Sequence, residues 1–365
     1  MMKNLNIKIY KEFNSELEDL WINFEKTSDN YYFQTCSWQK YWFKQMNKHK
    51  KKSITNHIVV VKNENDILFI LPMYISRFLF FKKLCWSGFP FSDYNAPLIK
   101  KNLNISKEIF LIIWKLILET NNNLFNCINL NNQPKMINHT LNPFFQYLNS
   151  INTAPYFGII LNNSSALINS QIADVKYQTK RLNREGNLVF NIASAKKERK
   201  KVLKFILKNK MAQYIKTDGW NLFNINAYKF FFIECHLKLH SNLYLSYLSL
   251  NKNIIAAHSG YIYENNCYYL FPTYDENFKK YSPGKILLNS LIEDTKIRKL
   301  YYFDFTIGAE NYKKKWSNNK MDSSTTLKAL DFIGLIYVLF IKIKISLKPI
   351  IINNNFFKKI YYKIK

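Results

Sequence analysis

The residues best placed to do chemistry lie between Cys267 and Trp316. The aromatic run Tyr268, Tyr269, Leu270 and Phe271 reads as a strand, and a polar, lysine-rich loop follows it. Lys279, Lys280, Tyr281, Ser282, Pro283, Gly284 and Lys285 close that loop with the signals of a helix start, Ser as N-cap and Pro at the first helical position. Leu287, Leu288, Leu291, Ile292 and Thr295 then recur at helical spacing. Tyr301 to Ile307 alternates as a second strand, Gly308 breaks it, and a short basic helix ends at Trp316. A strand, a basic loop and a helix N-terminus together can hold phosphate, because the first N–H groups of a helix are unpaired and its dipole favours an anion there.

Other chemistries have less support. Cys235, His236 and His240 place two histidines four apart, as a metal face would, but the chain lacks the H-E-x-x-H carboxylate, and no metal is expected. There is no P-loop, G-x-G-x-x-G or G-x-S-x-G. Cys36, Cys85, Cys127, Cys235 and Cys267 are scattered and odd in number, which predicts reduced thiols in a cytosolic setting.

These residues need elements to position them. Helices are predicted over 15–47 in two segments, over Ser106–Thr120, and roughly over Met136–Leu148. His57 to Val61 and Ile67 to Tyr74 form a hairpin across Asn63–Asp66, and Cys85 to Ile99 reads as a structured loop with short strands. Leu124 to Leu130 and Tyr156 to Leu161 follow as strands, and the polar stretch Asn162 to Ser165 marks a boundary. Then come a basic helix over Asp174–Arg184, a strand at Leu188–Ile192, helices over Glu198–Asn209 and Ala227–His240, and a hairpin of Leu243–Leu250 with Ile254–Tyr263. The two hairpins sit similarly in the two halves, which suggests two copies of one mixed unit. The order is α+β with a largely antiparallel sheet. Three segments are expected: 1–165, 166–330 and a basic apolar tail, 331–365.

The chain has 365 residues and a net charge of +28, from 53 Lys and Arg against 25 Asp and Glu. Only five of the basic residues are Arg, the side chain favoured for bidentate phosphate and base recognition, and the lysines are spread along the chain. A solvated basic surface is therefore favoured over a nucleic-acid face. The apolar run Phe332–Ile341 is too short to span a bilayer, and the start of the chain lacks the apolar core of a signal peptide. The tail from 332 to 365 carries seven lysines and no acid among Ile, Phe and Tyr, and suits peripheral contact with an anionic membrane as well as a packed basic helix.

The second half resembles the GNAT acyltransferase superfamily. It is most similar to the branch named after cellulose-biosynthesis proteins, which is related to the Fem-type peptidoglycan aminoacyltransferases. The resemblance rests on Lys180-Arg181-Leu182-Asn183-Arg184-Glu185-Gly186, Ala256-Ala257-His258, Tyr274-Asp275, Tyr281-Ser282-Pro283-Gly284, Phe303-Asp304-Phe305, Gly308 and Tyr312-Lys313. Looser matches at Phe33-Gln34, Trp38 and Ser92-Asp93-Tyr94 extend it over about residues 20–320. It implies tandem GNAT-like domains, with acyl-CoA (acetyl-CoA the expected donor) lying where strands 267–273 and 301–307 splay and its pyrophosphate at the helix start. Lys279, Lys280, Tyr281, Ser282, Gly284 and Lys285 would then bind the donor. Here lysine replaces the usual loop arginine, Ser replaces a glycine, and Pro283 lacks an N–H. His258, Asp275 and Asp304 are the candidate bases for acyl transfer, and Tyr312 matches a tyrosine that protonates the leaving thiolate. A hydrogen-bonded core role is the other reading of His258, a capping role that of Asp275, and an anchor for the Arg181/Arg184 region that of Asp304. The implied acceptor is an amine or hydroxyl of a cell-envelope polysaccharide or peptidoglycan precursor on the cytoplasmic side, with peripheral contact at the membrane's inner face. The alternatives are a transferase using aminoacyl-tRNA and a non-catalytic protein binding membrane or nucleic acid.

Overall fold

The structure is a computed structural model that describes residues 4–120, 124–163, 169–217, 219–239 and 241–353. The chain opens with β1 (Leu5–Tyr10), α1 (Ser15–Glu25), β2 (Ser28–Asp29), α2 (Cys36–Lys50), β3 (Ile54–Asn56), β4 (Ile58–Asn63), β5 (Asp66–Leu71), β6 (Met73–Phe78), β7 (Phe81–Trp86) and β8 (Leu98–Lys100). It continues through α3 (Lys107–Glu119), β9 (Cys127–Pro134), β10 (Met136–Ile137), β11 (Thr140–Leu141), α4 (Pro143–Tyr147), β12 (Ile151–Asn152), β13 (Tyr156–Ile160), α5 (Asn169–Glu185), β14 (Leu188–Ile192), α6 (Lys196–Lys216) and α7 (Asn226–Lys238). The last elements are β15 (Leu243–Leu250), β16 (Asn253–Tyr263), β17 (Asn266–Tyr269), β18 (Thr273–Tyr274), α8 (Pro283–Ile297), β19 (Tyr302–Ile307), α9 (Asn311–Trp316), β20 (Asn319–Met321), β21 (Ser323–Ala329) and α10 (Phe332–Asn353).

Two compact units result. The first takes the described residues up to 154 with 225–231 and 321–353; the second takes 155–224 and 232–320. The sequence expectation placed the boundary near 165 and kept 321–330 in the second domain; the observed division starts the second unit at Pro155 and returns 321 onward to the first. Strand pairing explains the return. β21 bonds to β9 in the first unit's sheet β12-β21-β9-β7-β6-β3, while β13 takes the matching place beside β19 in the second unit's sheet β14-β15-β16-β17-β19-β13-β20.

The first unit also holds a sheet ordered β1-β4-β5-β8-β2. Asn14 caps α1 by accepting from the Leu17 N–H at 2.9 Å, and the helix buries Leu17, Trp21 and Phe24. The expected return strand Ile67–Tyr74 is two strands, β5 and β6, in different sheets, because Pro72 between them has no N–H for a ladder. The helix expected over Met136–Leu148 is instead the hairpin β10–β11 and the five-residue α4. Asn138 takes φ +48° in that hairpin turn, and Asn142 with Pro143 begins a helix instead of continuing one.

In the second unit, Asn251-Lys252 and Glu264-Asn265 join β15 to β16 and β16 to β17, with positive φ at both central residues, as tight two-residue hairpins require. Helix α8 buries Leu287, Leu288, Leu291 and Ile292 in a core shared with Phe303, Phe305 and Trp316. Each unit repeats one motif: β7 runs parallel to β9 across α3, and β17 runs parallel to β19 across α8, amid mostly antiparallel pairs. The α+β class expected from the sequence is observed, and α6 extends past its expected end at Asn209 to Lys216.

A cleft at the splayed strands of the second unit

Strands β17 and β19 pair at Asn266, Cys267 and Tyr268 against Tyr302, Phe303 and Asp304, and then part. The chain after β17 stays with β16: the Phe271 N–H donates to Ser259 O at 2.9 Å, and Thr273 sits opposite Ala257. The end of β19 stays with β13, Ile307 opposite Tyr156. A bulge drives the parting. Gly158 opposes Asp304 and Phe157 opposes Thr306, so Phe305 is an extra residue on β19. Thr306 takes φ +60°, a strained conformation for a β-branched residue. The buried Asp304 carboxylate accepts the Thr306 N–H at 2.7 Å and so holds the bulge.

The parted strands open on a cleft of ≈ 640 Å³ lined by α6, the segment Tyr269–Tyr274, the start of α8, and the segment from Glu310 to Trp316. Four lysines reach it, Lys210, Lys216, Lys279 and Lys285, against two glutamates, Glu276 and Glu310. Lys216 pairs with Glu276 at 2.6 Å, and Lys285 pairs with Asp174 and keeps that carboxyl below its usual range.

Of the residues expected to hold a donor, Lys279, Ser282, Gly284 and Lys285 line the cleft. Lys280 and Tyr281 are not among the lining residues. Tyr281 is buried with its hydroxyl on Glu185, the Lys280 ammonium lies 4.9 Å from its ring centre, and Arg181 covers the ring at 5.0 Å while donating to Lys280 O at 3.1 Å. Arg181 thus braces the loop from behind. Ser282 has φ +50° and ψ +50°, and its side chain makes no capping bond to α8. Pro283 follows without an N–H. The helix start offers lysines and a dipole, with one backbone donor fewer than a glycine there would give.

Tyr312 lines the cleft, 38% exposed, its ring edge-on to Phe305 at 6.2 Å. His258, Asp275 and Asp304 are not among the lining residues. His258 is fully buried one ring behind the wall, stacked on Tyr269 at 4.8 Å. Its Nδ1 lies 3.5 Å from Ser246 Oγ, and among the described residues its Nε2 has no hydrogen-bond partner. Burial, with help from the Lys210 charge, pushes it down to about 3, so the ring is neutral. Asp275 caps the short 3₁₀ helix Glu276–Tyr281 by accepting the Asn277 N–H at 3.0 Å. His240, half of the metal face considered from sequence, lies outside the described residues, and its companion His236 is buried between Phe232 O and Ser259 Oγ. Among the described residues no cluster of three His, Cys, Asp or Glu could hold a metal.

Lys210 was missed in the sequence. It continues the face of α6 that buries Leu203 and Ile206, and burial pushes its ammonium down to about 8 despite the opposing pull of Glu310. An apolar row ending in lysine is the signal that marks it. Glu310 was missed too; it pairs at 3.2 Å with the buried Lys313, which itself donates to Ile307 O at 2.6 Å and so ties the end of β19 to α9.

Residues 169–314 match the family model of an acetyltransferase (GNAT) domain, a span that holds every residue lining the cleft except Trp316. Among solved structures, FemX is similar over 84% of this chain and 95% of its own, with 10% identity and a TM-score of 0.55. A conserved protein of unknown function from Bacteroides thetaiotaomicron is similar over 88% of this chain and 99% of its own, with 10% identity and a TM-score of 0.54. No curated protein matches the sequence. The chain has the tandem GNAT-like fold that the resemblance implied.

Proposed function

We propose that the second unit transfers an acyl group from acyl-CoA, with acetyl-CoA the expected donor, to an amine or hydroxyl of a cell-envelope polysaccharide or related surface precursor at the cytoplasmic face of the membrane. The observation that carries this reading is the parting of β17 and β19 onto a basic cleft at the start of α8, within the segment that matches the GNAT domain.

The donor's thioester would supply an activated carbonyl carbon and a thiolate leaving group. Lys279, Lys285 and the start of α8 would hold its phosphates. Lys210, in its neutral form, takes the proton that the attacking nitrogen or oxygen loses as its bond to the carbonyl carbon forms. The Tyr312 hydroxyl returns a proton to the sulfur as the carbon–sulfur bond breaks. Asp304 acts through the bulge: it fixes the end of β19, from which the chain runs on to Glu310 and Tyr312 at the cleft, and is a positioning residue.

Acetyl-CoA should raise the melting temperature of the wild-type chain, and Lys279→Ala should weaken its binding about ten-fold, the loss of one charge-assisted contact. No shift with any acyl-CoA would sink the CoA reading. One observation then favours aminoacyl-tRNA as donor: Pro283 removes a backbone donor, and Lys285 is already shared with Asp174, which leaves less than a full pyrophosphate cradle. Protection by a charged tRNA and not by acyl-CoA would select that reading.

A further inference from the structure

Helix α10 and the turn between β6 and β7 belong to the first unit and depend on none of the transfer chemistry. Tyr337 and Val338 of α10 are buried against the sheet, and Gly334 lies so close that a Cβ there would come within 2.0 Å of Asn126 O. Much of the helix up to Leu347 faces outward, and most of its exposed side chains are apolar. Leu335, Ile336, Leu339, Phe340, Ile343 and Leu347 are each between 43 and 57% exposed. Scattered surface apolar residues need no explanation, but a continuous row of this kind marks a binding surface.

The β6–β7 turn adds a second, independent feature. Phe78, Leu79 and Phe80 are 67, 78 and 60% exposed, and Leu79 has φ +52°. That conformation normally falls to Gly or Asn, so a bulky leucine is held there against local sterics and then shown to solvent. Arg77 and Lys82 flank the three apolar residues. The Phe80 ring lies 4.3 Å from Phe81, and Phe81 lies 5.6 Å from Tyr337 of α10, so turn and helix join as one surface. Lys342 is exposed on the helix, Lys83 binds the Tyr337 hydroxyl at 3.1 Å, and the sequence from 332 to 365 holds seven lysines and no acid.

We propose that α10 and the Phe78-Leu79-Phe80 turn form one docking surface for a bilayer containing anionic lipid. The turn inserts its apolar tip and the helix lies in the plane of the interface. The charge pattern selects this occupant. Apolar residues rimmed by cations match an anionic headgroup layer, whereas the same face on a second copy would set lysine against lysine. Among the described residues no helix is long and apolar enough to cross a membrane, so the contact is peripheral. This deepens the expectation drawn from the tail alone, by adding an element more than 250 residues earlier in the chain (Phe80 to Leu335).

The test is co-sedimentation of the full chain with phosphatidylcholine vesicles, with and without phosphatidylglycerol. The wild type should sediment with the anionic vesicles, less so as salt rises. Leu79→Asn suits the positive φ, so it should keep the melting temperature while weakening vesicle binding about ten-fold, and Phe340→Ser on the helix should act alike. A wild type that stays in solution with anionic vesicles would overturn the proposal. So would variants that sediment as the wild type does, or a dimer that Phe340→Ser dissolves, since a second copy would then cover the face. Loss or absence of acyl-CoA binding has no bearing on these readouts.

Discussion

Lys210 shows how burial turns an ordinary residue into a reactive one. A solvated lysine holds its proton far above neutral pH and cannot serve as a base. Desolvation on α6 brings Lys210 down to about 8, so a useful fraction is neutral near physiological pH. The direction is fixed: the neutral form grows as pH rises. Under the proposed role, kcat/KM should climb with pH and level off above about 8, and Lys210→Arg, which stays charged, should lose about 100-fold or more in kcat. A Lys210→Gln variant with the wild-type rate and pH profile would remove Lys210 from the mechanism. Sequence reasoning went first to His258, Asp275 and Asp304 because acids and histidines are few and lysines many. Type alone could not tell that His258 sits a ring behind the wall, or that Asp275 and Asp304 each accept a backbone N–H within two residues. Tyr312 and four of the loop residues do line the cleft. Their positions follow from local order, strand then loop then helix start, which a sequence does reveal.

At the scale of elements, the parting of β17 and β19 depends on one carboxylate. Asp304→Ala would leave the Thr306 N–H buried without its partner and should destabilise the chain by about 1–3 kcal/mol. Asp304→Asn keeps an oxygen for that N–H and should recover most of the stability. If Asp304 only positions β19, Asn should also recover most of kcat with an unchanged pH profile; a dead but stable Asp304→Asn variant would make it a participant instead. The alternation of Phe303, Phe305 and Ile307 announces a strand, yet the bulge is invisible in it. Which residue becomes the extra one depends on the register β13 adopts from across the sheet, and that is set by tertiary pairing. Prolines were more legible than they were read to be. Pro72 divides a strand between two sheets and Pro143 starts a helix, both because a missing N–H matters only where a bond is due. The Met136–Leu148 expectation runs a helix through Asn142-Pro143, the pair that starts one.

For the whole molecule, duplication was readable from the two similarly placed hairpins, but the exchange of β13 and β21 was not, since local sequence does not say which sheet a strand joins. A property of the whole chain follows from histidines that the two cores bury. His57 and His236 are pushed down to about 4 and His258 to about 3, each mainly by burial, from an ordinary value of 6.5. Lys11 adds to the effect at His57, Lys210 adds to it at His258, and the Phe232 carbonyl opposes it at His236. All three are therefore neutral when folded and take up a proton when unfolded below pH 6.5. The unfolded state then binds more protons, so stability is constant from this source above 6.5 and falls as pH drops toward 4. Each histidine contributes a slope of about 1.4 kcal/mol per pH unit in that window, so the three together remove about 4 kcal/mol per unit. Against a total of roughly 5–15 kcal/mol for an ordinary fold, the loss accumulated between pH 6.5 and 4 is a large share of the whole. Denaturant titrations at stepped pH should show uptake of about three protons on unfolding between pH 4 and 6.5, and His258→Gln should cut that number by about one. Stability that stays level across this range, with loss only below about pH 4, would mean that these rings are hydrated or paired in the folded protein and not neutral within its cores.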